Sequence, residues 1–484
     1  MKTTAKGDRA SLTPDLCVIG AGSAGLSVAS IAASLGASVV LVERHRMGGE
    51  CLNVGCVPSK ALLAAAHRAH EIRRSEPFGV GAGEPAIDPA KVRDHVRNAV
   101  AAIAPMDSAE RYRAMGVHVI EGEARFTGTG TAMAGGQIIQ ARRFVIAIGS
   151  RPAIPPIPGL DQVPYLTNDT LFDLGETPEH LVVIGGGAVG VEMAQAYRRL
   201  GSAVTILEAG ERILAKEDPE MAAVVERALR AEGVAIRAGR GVEQVAPGPE
   251  GRFAVDLEGG ERIEGSHLLV AAGRQPVFDG LDLEAAGIET DKSGIVVGRS
   301  LKTSNRRVFA IGDCVGGAGA GARFTHAANH QAGLVIRCAL FGLPVRYGSA
   351  PVPRVLYTDP EFAAVGLSEE EARARHGAFR ILRWSFADTD RARAERATTG
   401  HVKAIVTRRG RILGCSIVGA RAGELIVPWV LALNKGLKVS DLAGLVYPYP
   451  TFSEVTKGAA VEFLRPSAQN PWLRRLMGLV RRLG

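Results

Sequence analysis

Two cysteines in a glycine-rich turn are the residues of this sequence best suited to chemistry. Cys51 and Cys56 lie in the segment GGECLNVGCVPSK, residues 48–60, which continues into an alanine- and leucine-rich helix. In a straight α-helix this spacing would separate their Cα atoms by more than the ~7 Å that a disulfide tolerates, so pairing needs a distorted turn, which Gly55 permits. A helix N-terminus also lowers the pKa of a nearby thiol. The spacing therefore predicts a reversible dithiol–disulfide couple, with two buried structural cysteines as the alternative.

A dinucleotide-binding pattern precedes this turn. The segment LCVIGAGSAG, residues 16–25, combines an apolar strand with the motif G-x-G-x-x-G at Gly20, Gly22 and Gly25, and an amphipathic helix follows. These glycines let the backbone approach a pyrophosphate at the helix N-terminus. The next apolar strand ends at Glu43, the acid expected at this distance for the ribose hydroxyls. The pattern predicts an FAD site beside the cysteine pair.

A second copy of the same pattern follows in the middle of the chain. The segment LVVIGGGAVG, residues 181–190, contains Gly185, Gly187 and Gly190, and the strand after the next helix ends at Glu208. Two such units in one chain imply two nucleotides, one that stays bound and one that exchanges. We therefore predict a nicotinamide nucleotide in the second unit.

The acid of the second unit bears on which nicotinamide nucleotide is used. A carboxylate at Glu208 accepts hydrogen bonds from a free ribose 2′-hydroxyl and repels a 2′-phosphate, which favours NADH over NADPH. Arg212, four residues further on, keeps NADPH open as the alternative.

Composition and charge narrow the class of protein. The chain has 484 residues, 46% of them hydrophobic and 5% aromatic, which is typical of soluble α/β material large enough for several domains. Residues 1–14 do not resemble a signal peptide and no run of ~18 apolar residues occurs, so we predict a cytoplasmic protein. The net charge is +8, but acids and bases are interspersed and no nucleic-acid motif appears. We predict no nucleic-acid partner and no resident metal ion.

The remaining pattern indicates the order of the other elements. Residues 58–74, 89–115 and 422–435 are predicted to form helices, and a proline-rich linker spans about 150–158. From residue 350 onwards short alternating strands come first and helices follow. That order predicts an antiparallel sheet with helices packed on it, separate from the two nucleotide units.

Five motifs in this order resemble the flavin- and nicotinamide-dependent disulfide reductases, a family that includes dihydrolipoamide dehydrogenase, glutathione reductase and mercuric reductase. They are GAGSAG with Glu43, GGECLNVGCVPSK, GGGAVGVE, AAGRQP and VFAIGD. The resemblance covers about residues 13–465 and implies an α/β fold with two Rossmann-like domains and a C-terminal α+β dimerisation domain. The implied domains are an FAD domain over 1–155 and 281–349, an NAD(P)H domain over 156–280, an interface domain over 350–465 and a tail over 466–484.

The resemblance also implies roles for single residues. Cys51 corresponds to the sulfur that attacks substrate, and Cys56 to the sulfur that faces the flavin as a thiolate. Lys60 corresponds to the cation near the flavin N5, paired with Glu192 so that its charge is not stranded. The further cofactor contacts expected are Gly149, Asp313 and His326 for FAD and Gly273 for the nicotinamide nucleotide.

The C-terminal unit departs from the family pattern at one position. Thiol-converting members carry His-Pro-Thr-x-x-Glu from the partner subunit, in which the histidine moves the thiol proton and the glutamate orients it. Here Glu454 matches, but Tyr449 stands where the histidine is expected. Tyrosine, with a pKa near ~10 against ~6.5 for histidine, is a poor base at neutral pH. The mercuric reductase branch also places tyrosine there, although this sequence lacks that branch's C-terminal cysteine pair.

The last residues predict a basic amphipathic helix, which contacts an anionic membrane, packs on the dimer or is frayed in solvent. The apolar positions at helical spacing are Trp472, Leu476, Leu479 and Leu483, with Leu473, Met477 and Val480 beside them and Arg474, Arg475, Arg481 and Arg482 on the other face.

These observations predict an FAD-dependent NAD(P)H oxidoreductase that acts as a homodimer. Electrons are expected to pass from the nicotinamide through FAD to the Cys51–Cys56 disulfide and on to a disulfide, thiol-bound or metal acceptor. A mercuric-reductase-like metal ion reductase and a dihydrolipoamide dehydrogenase are the alternatives. A flavoprotein with a binding role only is less favoured, because it would need neither the cysteine pair nor Lys60 and Glu192.

Overall fold

Two parallel sheets, one for each glycine-rich pattern, organise the first two thirds of the chain. The computed structural model describes residues 11–321, 323–348, 351–468 and 470–481. In spatial order the first sheet contains Val308–Ala310, Arg143–Ile146, Leu16–Ile19, Val39–Glu43 and His118–Glu121, all parallel. Helix Ser23–Ser34 follows the central strand and packs against helix Thr325–Phe341. The first sheet thus draws strands from both sides of the second nucleotide unit.

The second sheet repeats this arrangement with four parallel strands. Their spatial order is Ala235–Ala238, Ala203–Glu208, His180–Ile184 and His267–Val270. Helix Ala188–Arg199 follows the glycine turn, and helix Pro219–Ala231 connects strand Ala203–Glu208 to strand Ala235–Ala238. An antiparallel group of Val242–Pro247, Phe253–Leu257 and Arg262–Gly265 is inserted before the last strand. The strands are near-continuous apolar runs because parallel sheets are covered on both faces.

The C-terminal unit is an antiparallel sheet with helices packed on it, as the sequence predicts. Its spatial order is Arg354–Leu356, Glu361–Gly366, Ile412–Gly419, His401–Thr407 and Phe379–Ser385. Helices Val427–Lys435 and Glu454–Glu462 cover the sheet, and the indole of Trp429 is fully buried between them. One face of this sheet forms a core within the unit, whereas Leu356, Phe362, Ala364 and Val418 pack into the core of the second nucleotide unit.

Further strands and helices connect the three sheets. The further strands are Ser11–Leu12, Ala124–Gly128, Thr131–Ala134, Gln137–Ile139, Ser150–Pro152, Arg274–Pro276, Thr290–Asp291, Gly294–Val296 and Val315–Gly316. The further helices are Gly49–Asn53, Cys56–Arg73, Pro89–Ile103, Ala109–Ala114, Glu369–Arg375, Asp390–Ala394, Ala422–Leu425, Val439–Ala443, Arg465–Ala468 and Pro471–Val480. Within the described ranges, no helix combines the length and the apolar character needed to cross a bilayer.

Two of the predicted helices are wrong as continuous elements. The helix expected over 89–115 ends at Ile103, passes through the 3-10 turn Ala104–Asp107 and restarts at Ala109. The restart is favoured because the Ser108 hydroxyl accepts a hydrogen bond from the Arg111 N–H at 3.2 Å. The helix expected over 422–435 is likewise two helices that meet at Ile426, and Pro428 suits the first turn of the second.

Candidate redox active site

The cysteine turn has the distortion that its spacing requires. Cys51 lies in the short helix Gly49–Asn53, and Cys56 is the first residue of the helix that ends at Arg73. The chain changes direction at Gly55, where an added Cβ would lie 2.9 Å from the Glu50 carbonyl oxygen. Glycine is therefore needed for the close backbone approach that brings the two cysteines together.

The pKa values of the two thiols are shifted in opposite directions. A hydrogen bond from Cys51 stabilises the Cys56 thiolate, and with help from Thr325 and the Lys60 charge it lowers the pKa of Cys56 to about 6. The Thr325 hydroxyl oxygen lies 3.5 Å from the Cys56 sulfur. The same hydrogen bond, together with burial, raises the pKa of Cys51 well above its ordinary value. Near neutral pH the pair therefore holds one proton on Cys51 and a thiolate at Cys56.

A lysine stands one helical turn beyond Cys56. The Lys60 ammonium lies 3.0 Å from Glu192, whose carboxylate is buried. The second Glu192 oxygen accepts a hydrogen bond from the Tyr357 N–H at 2.9 Å, and the Lys60 nitrogen lies 4.2 Å from the Tyr357 ring centroid. The structure thus joins Lys60 and Glu192 in an ion pair, while their roles toward the flavin stay predictions. Sequence reasoning missed Tyr357 because it lies on a different unit.

The first glycine turn borders a cavity of about 820 Å³ that fits an elongated dinucleotide. Gly20 has φ +102°, and a Cβ there would lie 2.4 Å from the Ala147 carbonyl oxygen. Helix Ser23–Ser34 begins at Gly22, which has no side chain to cap the helix N–H groups, so these can bind a pyrophosphate. Glu43 accepts hydrogen bonds from the Ala21 N–H at 2.6 Å and the His45 N–H at 2.8 Å. These residues fit FAD.

Of the other residues predicted to contact FAD, some line this cavity and others do not. Gly149 lines the same cavity, and a Cβ at Gly25 would lie 1.8 Å from the Gly20 carbonyl oxygen, so Gly25 serves helix–strand packing. The His326 imidazole lies 2.8 Å from the Pro353 carbonyl oxygen and stacks on Phe324, and His326 does not line the cavity. The flavin contact predicted for His326 therefore stays a prediction.

A polar cluster joins Asp313 to the cysteine turn, and sequence reasoning missed most of it. Ser150 donates a hydrogen bond to Asp313 at 2.9 Å and accepts one from Arg274 at 2.9 Å. Arg274 also forms an ion pair with Glu50, the residue before Cys51. Burial raises the pKa of Glu50 to about 7, against the opposing effect of Arg274. A charged residue inside the glycine-rich motif was the available sequence signal.

The second glycine turn repeats the geometry of the first. Gly185 has φ +113°, and a Cβ there would lie 2.5 Å from the Ala271 carbonyl oxygen. Helix Ala188–Arg199 begins at Gly187, again without a side-chain cap, and a Cβ at Gly190 would lie 2.0 Å from the Gly185 carbonyl oxygen. Gly273, at the end of a neighbouring strand, has φ +129°. These residues fit a nicotinamide dinucleotide.

The side chains of Glu208 and Arg212 are both held by the backbone. The Glu208 carboxylate accepts hydrogen bonds from the Gly186 N–H at 2.8 Å and the Gly210 N–H at 2.7 Å, which fixes it beside the glycine turn. The Arg212 guanidinium instead donates to the carbonyl oxygens of Leu214, Ala215 and Glu217 at 2.8–2.9 Å. The carboxylate is therefore fixed at the nucleotide turn, whereas the guanidinium is engaged elsewhere.

Tyr449 and Glu454, the two residues predicted for the substrate side, share no hydrogen bond among the described residues. The Tyr449 hydroxyl donates a hydrogen bond to Asp390 at 2.9 Å, and this carboxylate raises the pKa of the tyrosine. Glu454 contributes one buried carboxylate oxygen that has no hydrogen-bond partner among the described residues. Tyr449 is 70% exposed. Its predicted role, facing the cysteines of the partner subunit, stays a prediction.

Comparison with known proteins gives a consistent result. The family described as "Pyridine nucleotide-disulphide oxidoreductase" matches residues 14–332, and its dimerisation domain matches residues 352–460. The mercuric reductase of Streptomyces lividans is 38% identical over 462 residues, which cover 93% of this chain and 96% of that protein. The dihydrolipoyl dehydrogenase of Geobacillus stearothermophilus is 34% identical over 453 residues, 92% of this chain and 94% of that protein. The solved HOCl-induced flavoprotein disulfide reductase RclA from Escherichia coli superimposes with a TM-score of 0.82 at 29% identity, covering 92% of this chain and 99% of RclA.

Two dinucleotide sheets and a thiol pair define a flavin-dependent disulfide oxidoreductase. The chain belongs to the pyridine nucleotide-disulphide oxidoreductase family, so the predicted family, fold class and enzyme class are confirmed. It is an FAD-dependent enzyme that uses a nicotinamide nucleotide, and its dimerisation domain points to a homodimer.

Proposed function

We propose that this enzyme uses NADH to reduce its Cys51–Cys56 disulfide and that the resulting dithiol reduces a small disulfide. Bound FAD would supply the two-electron relay between the nicotinamide and the cysteines. The observation that carries the proposal is the geometry of the turn: Cys56 begins a helix with the Thr325 hydroxyl 3.5 Å from its sulfur and Lys60 one turn beyond, and the pKa of Cys56 is lowered while that of Cys51 is raised. Two structural thiols would have no need of such a difference, whereas a redox pair needs one stored thiolate and one transferable proton.

The dithiol step uses both sulfurs in turn. The Cys51 proton passes along its hydrogen bond to Cys56, and the Cys51 thiolate attacks one sulfur of the acceptor disulfide. The S–S bond of the acceptor breaks, and a mixed disulfide forms at Cys51. The thiolate that departs from the acceptor takes the proton from Cys56. The Cys56 thiolate then attacks the Cys51 sulfur, which restores the protein disulfide and releases the second thiolate. Two electrons leave the dithiol, and one acceptor disulfide becomes a thiol and a thiolate.

Reduction of a thiol-bound soft metal ion is the second candidate, and Tyr449 favours it. The tyrosine hydroxyl is hydrogen-bonded to Asp390 and has a raised pKa, so it supplies no general base at neutral pH. Reduction of Hg²⁺ needs none, because NADH and Hg²⁺ give NAD⁺, H⁺ and Hg⁰. The similarity to the Streptomyces lividans mercuric reductase supports this candidate. The same argument makes efficient dihydrolipoamide oxidation the least favoured activity.

The choice of NADH over NADPH rests on the second nucleotide turn. Glu208 is fixed by two backbone N–H groups beside the turn, and its negative charge would repel a 2′-phosphate. The Arg212 guanidinium, which could otherwise bind that phosphate, is engaged by backbone carbonyl oxygens. Both features favour a nucleotide with a free 2′-hydroxyl.

The active site is proposed to form across the homodimer, with Tyr449 and Glu454 of each chain facing the cysteines of the other. The cytoplasmic location predicted from the sequence stays a prediction. We propose in addition that residues 472–483 bring the homodimer to a membrane surface, independently of its redox chemistry.

The deciding experiment measures NADH consumption by the purified holoenzyme with separate acceptors. A small aromatic disulfide and Hg²⁺ in excess thiol represent the two candidates. Cys51→Ser and Cys56→Ser should abolish turnover with the preferred acceptor. Cys338→Ser, at a partly exposed cysteine outside the turn, is the matched control and should keep it. Turnover that survives both substitutions in the turn would contradict the dithiol mechanism.

A further inference from the structure

The C-terminal helix Pro471–Val480 presents apolar side chains that the other described residues leave exposed to solvent. Their exposed fractions lie between 43% for Leu473 and 71% for Trp472. The other members of this apolar face are Leu476, Met477, Leu479 and Val480. Large apolar residues so concentrated on one short helix mark a surface that another phase or molecule covers.

The charge of this segment identifies the partner. Residues 463–484 contain five arginines and neither aspartate nor glutamate. At 100° per residue the apolar side chains of the helix fall on one continuous arc, and Arg475 and Arg481 fall on the opposite arc with Gly478. Arg475 and Arg481 are exposed to solvent. A cationic arc beside an apolar arc complements a surface whose anionic headgroups lie above a hydrocarbon layer.

We propose that this helix lies flat in the surface of an anionic membrane and tethers the reductase there. A helix of ten residues is about 15 Å long, which suits a position along the headgroup boundary rather than across the bilayer. The apolar arc would enter the acyl region, while the arginines remain level with the phosphates. Because the enzyme is expected to be a homodimer, two such helices would bind together, and their combined affinity would exceed that of either one.

Binding to vesicles tests the proposal without any need for turnover. The purified full-length holoenzyme is sedimented with phosphatidylcholine vesicles and with vesicles that contain equal parts of phosphatidylcholine and phosphatidylglycerol, at low and high salt. We expect sedimentation with the anionic vesicles only, weakened by salt because surface attraction is screened. Each arginine near the surface contributes roughly a fivefold factor in affinity, so Arg475→Glu with Arg481→Glu should reduce partitioning by at least about 25-fold.

Matched variants distinguish vesicle binding through this helix from nonspecific binding through other exposed residues. Leu476→Glu with Leu479→Glu should abolish vesicle binding, whereas Val80→Glu, at an exposed apolar residue elsewhere, should keep it. Arg408→Glu with Arg409→Glu is the control for the charge reversal. Unchanged NADH consumption in solution shows that a variant is folded, and the binding result stands whichever acceptor proves correct.

Three outcomes would overturn the proposal. Failure of the wild type to bind anionic vesicles removes it directly. Binding that survives the glutamates at Leu476 and Leu479 would assign the contact to another surface. Dissociation of the dimer in those variants, seen by size-exclusion chromatography with light scattering, would show that the partner subunit covers the helix instead.

Discussion

Replacing Cys51 with alanine should make the Cys56 thiolate form only at higher pH. With a Cys56 pKa of about 6, roughly 90% of the reduced wild-type enzyme carries this thiolate at pH 7. The largest cause of that low pKa is the hydrogen bond from Cys51, which alanine cannot donate. Thr325 and Lys60 remain in the variant, so the pKa should rise by roughly one to two units and stay near or below the ordinary ~8.5.

The assay uses the long-wavelength absorption that a thiolate gives when it contacts an oxidised flavin. Wild-type enzyme reduced anaerobically by two electrons, and Cys51→Ala in its resting state, are titrated between pH 4.5 and 9.5. The expected midpoints lie near pH 6 for the wild type and about one to two units higher for the variant. Cys338→Ala, which leaves the cysteine turn intact, should titrate as the wild type does.

Each part of the reasoning can fail separately. A wild-type midpoint at pH 8 or above would show that the environment of Cys56 does not stabilise its thiolate. Equal midpoints in wild type and Cys51→Ala would remove the hydrogen bond as the cause. A band that persists in Cys56→Ala would mean that the other cysteine faces the flavin, and the two assigned roles would have to be exchanged.

Four further substitutions test other parts of the site and fold. Glu208→Ala should reduce the ratio of kcat/KM for NADH to that for NADPH, and a wild type that prefers NADPH would contradict this assignment. Tyr449→His should raise dihydrolipoamide oxidation near pH 7 by up to the ~10²–10⁴-fold that a positioned base contributes, while anaerobic flavin reduction by NADH stays unchanged. Lys403→Met should lower the free energy of unfolding by about 3–5 kcal/mol in urea titrations, because it leaves the buried carboxylate of Asp218 without the partner now 2.8 Å away. Burial raises the Glu50 pKa to about 7, so the folded state retains a proton that the unfolded state loses as pH rises. The wild type therefore loses stability between pH 5 and pH 8, whereas Glu50→Gln, which does not titrate, should not. The thermal stability of Glu50→Gln relative to wild type should increase over that range.

The parts of the fold that the sequence predicts are those with local causes. Both glycine turns and the strands before them follow from short segments, because a tight turn at Gly20 or Gly185 excludes other residues. The cysteine turn is predictable for the same reason. The continuity of a helix was less predictable. The apolar period continues across residues 89–115, but Pro105 and the Ser108 cap interrupt the helix.

Contacts between distant residues escaped the reasoning from residue patterns, and the Lys60–Glu192 pair was expected only through the family resemblance. Glu50 and Arg274 are 224 positions apart and meet only because the chain returns from the nucleotide unit to the flavin unit at residue 274. Tyr449 and Asp390 are 59 positions apart: Asp390 begins a short helix, and Tyr449 lies in the segment before helix Glu454–Glu462. No local periodicity encodes such pairs, so the partner of Tyr449 could be found only from the folded chain. The family pattern suggested Glu454 instead.

We propose that the departure at Tyr449 alters the substrate side of the chemistry and leaves the electron-receiving side intact. We propose that Lys60, Glu192 and the Cys56 thiolate serve the side that receives electrons, where the Lys60–Glu192 ion pair and the lowered pKa of Cys56 support that role. On the proposed substrate side, Tyr449 stands where the family places a histidine, so we propose that Cys56 receives the proton that leaves Cys51. An acceptor disulfide or a thiol-bound metal ion suits that arrangement, because its reduction consumes a thiolate that the enzyme already stores. A dithiol substrate does not, because its oxidation must begin by removing a proton.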